Sequence, residues 1–254
     1  MPRPLHKQNQ KNVSLKKVGL ARALSKLGYC SRSEAAELIR SGRVKLNGAL
    51  RRDPETPVHL GKDRVEVGNA PIAKIAKTYL VLNKPRGVVT TASDEKGRET
   101  VYAYLPKDLP WLAPVGRLDK ASEGLLLFTN DSEWAARITA PETQVDKTYH
   151  VQIGTLANNE LLETLRKGIV THDAHFLGVK SASLLRHGER NAWLEIVLAE
   201  GKNRHIRRMF EHLNVEVLRL VRVAIGPLPL GNLAKGATRV LREDEKWALD
   251  RAMR

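Results

Sequence analysis

Gly116-Arg117-Leu118-Asp119-Lys120-Ala121-Ser122-Glu123-Gly124-Leu125-Leu126-Leu127-Phe128-Thr129-Asn130-Asp131 is the stretch on which the reading of this chain turns. Residues 124–129 are a compact apolar run of strand length, closed by polar residues. The residues before them form a short polar turn. That turn delivers one carboxylate, Asp119, to the head of the strand, between the cations Arg117 and Lys120. Taken alone, Arg-x-Asp fits a structural ion pair in a turn as well as it fits chemistry. The weight has to come from the rest of the chain.

Upstream, Tyr79-Leu80-Val81-Leu82 is a second apolar run, and it ends at Asn83-Lys84-Pro85-Arg86-Gly87, a strand entering a turn. Residues 88–91 are expected to be the next strand. Downstream, residues 149–153, 193–198 and 215–220 have strand composition. Residues 132–139, 158–167 and 203–213 have helical spacing. Strands outnumber helices without alternating regularly with them, so the expected class is α+β, with a mixed, mainly antiparallel sheet flanked by helices and loops.

The charge is unevenly placed. The chain has 254 residues and a net charge of +15. Residues 1–77 hold 17 Lys/Arg against 6 Asp/Glu, and the remainder 26 against 22. A small basic domain ahead of a nearly balanced larger one fits this, and the excess charge calls for a polyanionic partner, nucleic acid before an anionic membrane. A hydrophobic fraction of 42% supports a real core, and a single cysteine, Cys30, excludes an intramolecular disulfide framework. No stretch approaches the ~20 apolar residues of a membrane span, and no signal-peptide core is visible, so a cytoplasmic location is expected.

Residues 1–17 read as a disordered basic tail. Beyond them Leu20, Ala23, Leu24 and Leu27 share a helix face that Gly28 can end. Ser31 or Ser33 can cap a second helix with Ala35, Leu38 and Ile39 inward, closed by Gly42. Arg43-Val44-Lys45-Leu46-Asn47-Gly48 alternates into an Asn-Gly turn.

Ala21-Arg22-Ala23-Leu24, Gly28-Tyr29-Cys30-Ser31-Arg32 and Ser41-Gly42-Arg43-Val44-Lys45-Leu46-Asn47-Gly48 together resemble the S4 RNA-binding domain over residues 18–65. The resemblance implies that Arg22, Arg32, Arg40, Arg43 and Lys45 face phosphates while the leucines pack inward. Residues 66–78 then read as a closing strand and linker.

The 116–131 block resembles the catalytic signature of pseudouridine synthases. Its glycine before Arg-Leu-Asp is similar to the group of the ribosomal small-subunit pseudouridine synthase A and its large-subunit relatives. Three more segments match in order: Asn83-Lys84-Pro85-Arg86-Gly87, Lys147-Thr148-Tyr149 and Gly201-Lys202-Asn203-Arg204-His205-Ile206-Arg207-Arg208-Met209-Phe210. Leu220-Val221-Arg222 with Ile225-Gly226 follows. The resemblance implies a catalytic domain over 79–242, with 243–254 a C-terminal tail outside the pattern that reads as a surface helix. It implies isomerisation of uridine in ribosomal RNA to pseudouridine without cofactor or metal, by a chain acting as a monomer. Large-subunit RNA is the favoured target, ahead of small-subunit RNA or tRNA.

In that reaction the N1–C1′ bond breaks, the base turns, and a C5–C1′ bond forms. A ribosyl centre losing its base gains oxocarbenium character, which a carboxylate can trap or stabilise. Asp119 is the candidate, as nucleophile at C1′ or as base at C2′. Tyr149 can stack on a flipped base, with its hydroxyl near the C5 proton. By the resemblance, Arg207 pairs with Asp119. Arg117 fills the gap left by the flipped base, and Lys84, Arg86, Lys202, Arg204 and Arg208 contact RNA.

Other patterns carry less. His172-Asp173-Ala174-His175 has the look of a metal pair but no third ligand nearby, so no metal site is expected. The competing readings are an inactive S4-type ribosome-assembly protein and a DNA-binding regulator. The first is disfavoured by Asp119, Tyr149 and Arg207 occurring together, the second by the lack of a convincing reader helix.

Overall fold

A computed structural model describes residues 17–72, 75–171 and 174–253. The chain divides into two compact units, residues 1–75 and 76–254. The boundary falls inside the stretch read as a linker, because the strands Val65–Val67 and Ala70–Pro71 still belong to the first unit's sheet. The basic tail expected over 1–17 lies, apart from Lys17, outside the described residues.

In the first unit, helices Leu20–Lys26 and Arg32–Arg40 end where the glycines allow. Gly28 and Gly42 take φ of 78° and 73°, the left-handed conformation that terminates a helix. Ser31 caps the second helix, accepting from the Glu34 N–H at 3.1 Å. Strands Val44–Leu46 and Ala49–Arg51 turn at Asn47-Gly48, both at positive φ. The four-stranded sheet runs Ala49–Arg51, Val44–Leu46, Val65–Val67, Ala70–Pro71. Leu20, Leu24, Ala35, Ile39 and Val44 are fully buried at its core. Arg22, Arg32, Arg40 and Arg43 are left exposed and Lys45 half-buried.

The second unit is built on a sheet with the strand path Ser181–His187, Ala192–Leu198, Lys147–Ile153, Val217–Ile225, Glu123–Thr129, Tyr79–Lys84, Thr238–Val240. Every neighbouring pair on this path is antiparallel except Val217–Ile225 against Glu123–Thr129. Ala113–Val115 and Leu228–Pro229 add short pairings. All seven residues of Glu123–Thr129 are buried. Leu125 and Leu127 enter one core cluster and Leu126 and Phe128 another, which is why this strand reads as an unbroken apolar run instead of alternating.

Helix His205–His212 lays Ile206, Met209 and Phe210 into a third cluster, at the i, i+3, i+4 spacing of an amphipathic helix. Helix Asn159–Lys167, capped by Asn158, contributes Leu162 and Leu165 to the same cluster.

One expectation is corrected, one is extended, and one strand is new. Residues 88–91 form no strand, only an isolated bridge between Val89 and Thr100. Residues 243–254, read as a surface helix outside the matched pattern, do form helix Glu243–Ala252, and it is docked: it buries Leu249, and its Asp250 accepts from the Trp134 indole at 2.8 Å. The edge strand Ser181–His187 was not foreseen, because its residues are mostly exposed and carry no alternating apolar signal.

Candidate active site

The turn carrying Asp119 is fixed through its backbone. Five consecutive carbonyls, Leu118 to Ser122, each accept a hydrogen bond from elsewhere in the unit. Thr90 Oγ1 donates to Leu118 at 2.7 Å. The Lys84 ammonium donates to Asp119 at 3.2 Å and Ser122 at 2.8 Å, with Pro85 as its third acceptor. The Gly87 N–H donates to Lys120 at 2.8 Å, and Arg207 Nη2 donates to Ala121 at 3.0 Å. Within the turn, the Ser122 N–H donates to the Asp119 carbonyl at 2.9 Å. A loop tethered at successive positions holds its side chain in one place before any substrate arrives.

This gives the Asn83-Lys84-Pro85-Arg86-Gly87 segment its physical role and corrects a prediction. Lys84 is wholly buried, with its three donors spent on carbonyls, so it is a clamp under the turn and not a phosphate contact. Burial pushes its pKa down to about 8, although Asp119 and Glu123 pull the other way.

Arg207 is also corrected. Its guanidinium bonds the carbonyls of Ala121 and Val217, and with Asp119 it shares no hydrogen bond or ion pair, only the longer-range attraction that pulls its pKa up. Its Nε is buried without a partner, and burial, then Arg204, lower its pKa. It anchors the turn from behind.

Asp119 opens into a cleft of about 410 Å³ that also involves Arg117, Lys147, Tyr149, Arg204 and Arg222. Tyr149, on strand Lys147–Ile153, stands half-buried beside Arg222 in the register, next to a bulge at Thr148/Tyr149. Of the expected RNA contacts, Arg117, Lys202 and Arg204 line this cleft. Arg86 and Arg208 do not: Arg86 is exposed and donates to the Leu218 carbonyl, while Arg208 reaches Thr171.

Two cleft residues escaped sequence reasoning. Arg222 is buried, donates through Nε to the Leu125 carbonyl at 2.7 Å, and leaves Nη2 without a partner. Lys147 is half-buried, and burial, then Arg222, lower its pKa. Both lie in segments already singled out, Lys147-Thr148-Tyr149 and Leu220-Val221-Arg222. The strand periodicity that puts Tyr149 on the cleft face puts Lys147 there as well.

The parallel seam is locked electrostatically. Glu123 is buried at its start and receives Arg219 through two bonds of 3.1 Å and Lys235 at 2.8 Å. Burial alone would raise this carboxyl's pKa, but the two cations outweigh it and hold the group ionised. Among the described residues no group of three or more His, Cys, Asp or Glu side chains converges as a metal site, and no helix is long and apolar enough to cross a membrane. His172 and Asp173 lie outside the described residues.

Comparisons with known proteins identify the family. A family model for RNA pseudouridylate synthase matches residues 78–212, and one for the S4 domain matches 18–65. The chain is 36% identical to the ribosomal large subunit pseudouridine synthase B of Bacillus subtilis over 228 residues, 89% of this chain and 93% of that one. It is 39% identical over 218 residues to an uncharacterized RNA pseudouridine synthase of Rickettsia typhi, covering 85% of this chain and 88% of the relative. A pseudouridylate synthase crystal structure superposes with a TM-score of 0.63 at 29% identity, covering 91% of this chain and 99% of the other. The chain therefore belongs to the RNA pseudouridylate synthase family, an isomerase with an S4 RNA-binding domain ahead of its catalytic domain.

Proposed function

We propose that this enzyme isomerises uridine in large-subunit ribosomal RNA, with Asp119 acting at the ribosyl centre. The observation that carries the assignment to Asp119 is the turn tethered at five successive carbonyls, with its carboxylate at the cleft. Such a turn supplies a carboxylate at a fixed point, as a reaction with developing positive charge at C1′ requires. The uracil leaves C1′ through N1, turns within the cleft and rejoins through C5. The C5 proton departs afterwards and N1, freed from C1′, takes up a proton, so the product is an isomer of the substrate and no external reactant is consumed. Tyr149, which lines the cleft, supports the base by stacking, and its hydroxyl is the group to receive the C5 proton. Arg222, which lines the same cleft as Asp119 and has one buried nitrogen unpartnered, orients the carboxylate or the substrate.

The choice of large-subunit RNA is supported by the Bacillus subtilis relative, whose name states that substrate. A ribosomal RNA target implies the cytoplasm as the place of work.

The test is tritium release from 5-tritiated ribosomal RNA by the wild type and by Asp119→Asn. The wild type should release tritium from large-subunit RNA. The variant should fold, bind RNA and lose several orders of magnitude in rate. A folded variant with near-normal release would overturn the role of Asp119, and release confined to small-subunit RNA or tRNA would overturn the choice of substrate.

A further inference from the structure

Asp119 sits where two cavities meet. One is the cleft described above. The other is a groove of about 500 Å³ on the far side of the same turn. The two share Arg117, Leu118, Asp119, Asn203 and Arg204.

The outer wall of the groove is held in shape. Arg98 grips Asp94 through Nη2 at 2.6 Å and Nε at 3.1 Å, and its own N–H donates to the same carboxylate at 2.8 Å. Gly97, at φ 64°, lets the chain turn back inside that ring. Val89 bridges to Thr100. Thr90 Oγ1 then ties the loop to the carbonyl of Leu118, the residue before Asp119. Thr90 therefore couples the wall of the groove to the turn that carries Asp119.

The chemistry of the lining is specific. Lys96 and Lys120 are exposed on it, and Thr91 and Ser93 bring hydroxyls. Glu95 adds a carboxylate. A pure phosphate site would exclude such a carboxylate. A nucleotide offers both a phosphate for the lysines and base N–H donors for Glu95. A uridine turned into the cleft stays bonded to its neighbours through both its phosphates. Its chain has to leave along the surface next to Asp119, and the groove begins there.

We propose that this groove is a second RNA subsite, which takes the unpaired nucleotide adjoining the target uridine. Lys96 and Lys120 hold its phosphate, and Glu95 and the hydroxyls face its base and sugar. This rests on the reading that the cleft holds the flipped uridine.

The experiment uses the full chain, with Lys96→Glu and Lys96→Arg, on a 5-tritiated fragment of large-subunit RNA containing the modified uridine. Two shortened fragments are each cut one nucleotide from that uridine, on opposite sides. On the intact fragment Lys96→Glu should raise KM about tenfold with kcat within about twofold, and Lys96→Arg should restore KM. The salt dependence of KM should weaken by about one ion. On one shortened fragment, the one lacking the occupant, the Lys96→Glu defect should vanish. An unchanged KM on the intact fragment would overturn the subsite, as would an equal defect on both shortened fragments. Absence of release by the wild type on the intact fragment would instead overturn the reading of the cleft, and the subsite with it.

Discussion

A Cβ placed on Gly124 would lie 2.3 Å from the carbonyl oxygen of Arg222. The two residues are partners across the one parallel pairing on the sheet path, and Gly124 sits at φ 103°. Both the space and the conformation exclude a side chain there. Gly124→Ala should therefore destabilise the catalytic unit by at least about 3 kcal/mol, lowering its melting temperature by roughly 6–12 °C. Calorimetry on the purified variant checks this; a melt within about 2 °C of wild type would contradict the seam described here.

Lys84→Met removes the ammonium under the turn and leaves the carbonyls of Pro85, Asp119 and Ser122 without their donor. The loosened turn should lower kcat by about 10–100-fold. The pH dependence follows from the direction of the shift. The folded pKa of about 8 lies below the unfolded value of 10.5, so between them the unfolded chain holds more protons. Stability from this group rises as pH climbs through that window, because the cost of the buried charge is relieved. The melting temperature of wild type minus that of Lys84→Met should increase between pH 8 and 10, and a flat or falling difference would contradict the assignment.

Arg222→Lys shortens the side chain at the cleft, loses the planar fork and removes the buried, unpartnered Nη2. Single-turnover tritium release should slow by about 100-fold while RNA affinity stays within a fewfold. A rate near wild type would assign Arg222 to structure alone.

Removing residues 1–75 takes away the smaller unit and most of the excess positive charge. RNA affinity should fall, and its dependence on salt should become shallower, since fewer counterions are released on binding. Binding isotherms at several salt concentrations measure both. Equal slopes for the full and shortened chains would place the RNA contacts in the catalytic unit instead.

The elements legible in the sequence are those coded by neighbours. Helix Ser132–Thr139, the Gly28 and Gly42 helix ends and the Asn47-Gly48 turn each depend on residues within a turn or two of themselves. Lys84 was misread because its burial depends on carbonyls 35 and 38 residues away, and no local pattern separates such a lysine from one that meets phosphate. Arg207 and Arg222 present a similar problem. Both are single cations in matched segments, and only the packing of helix His205–His212 and the parallel seam tells which one lines the cleft. Helix Glu243–Ala252 looked peripheral because its charged face dominates the composition, while Leu249 alone carries much of its burial.

The parallel seam also sets the order in which the molecule can become an enzyme. Glu123 and Gly124 pair with Val221 and Arg222, so the halves of the site are about a hundred positions apart along the chain. No hairpin can bring them together, and such contacts form late because the intervening loop must close first. During synthesis Lys84, Gly87 and Thr90 are already present to tether the Asp119 turn, but its fifth tether, Arg207, and the cleft residue Arg222 are made much later. A nascent chain therefore already carries its S4 unit and most of the tethers of the Asp119 turn, while the cleft is completed only once strand Val217–Ile225 has been made.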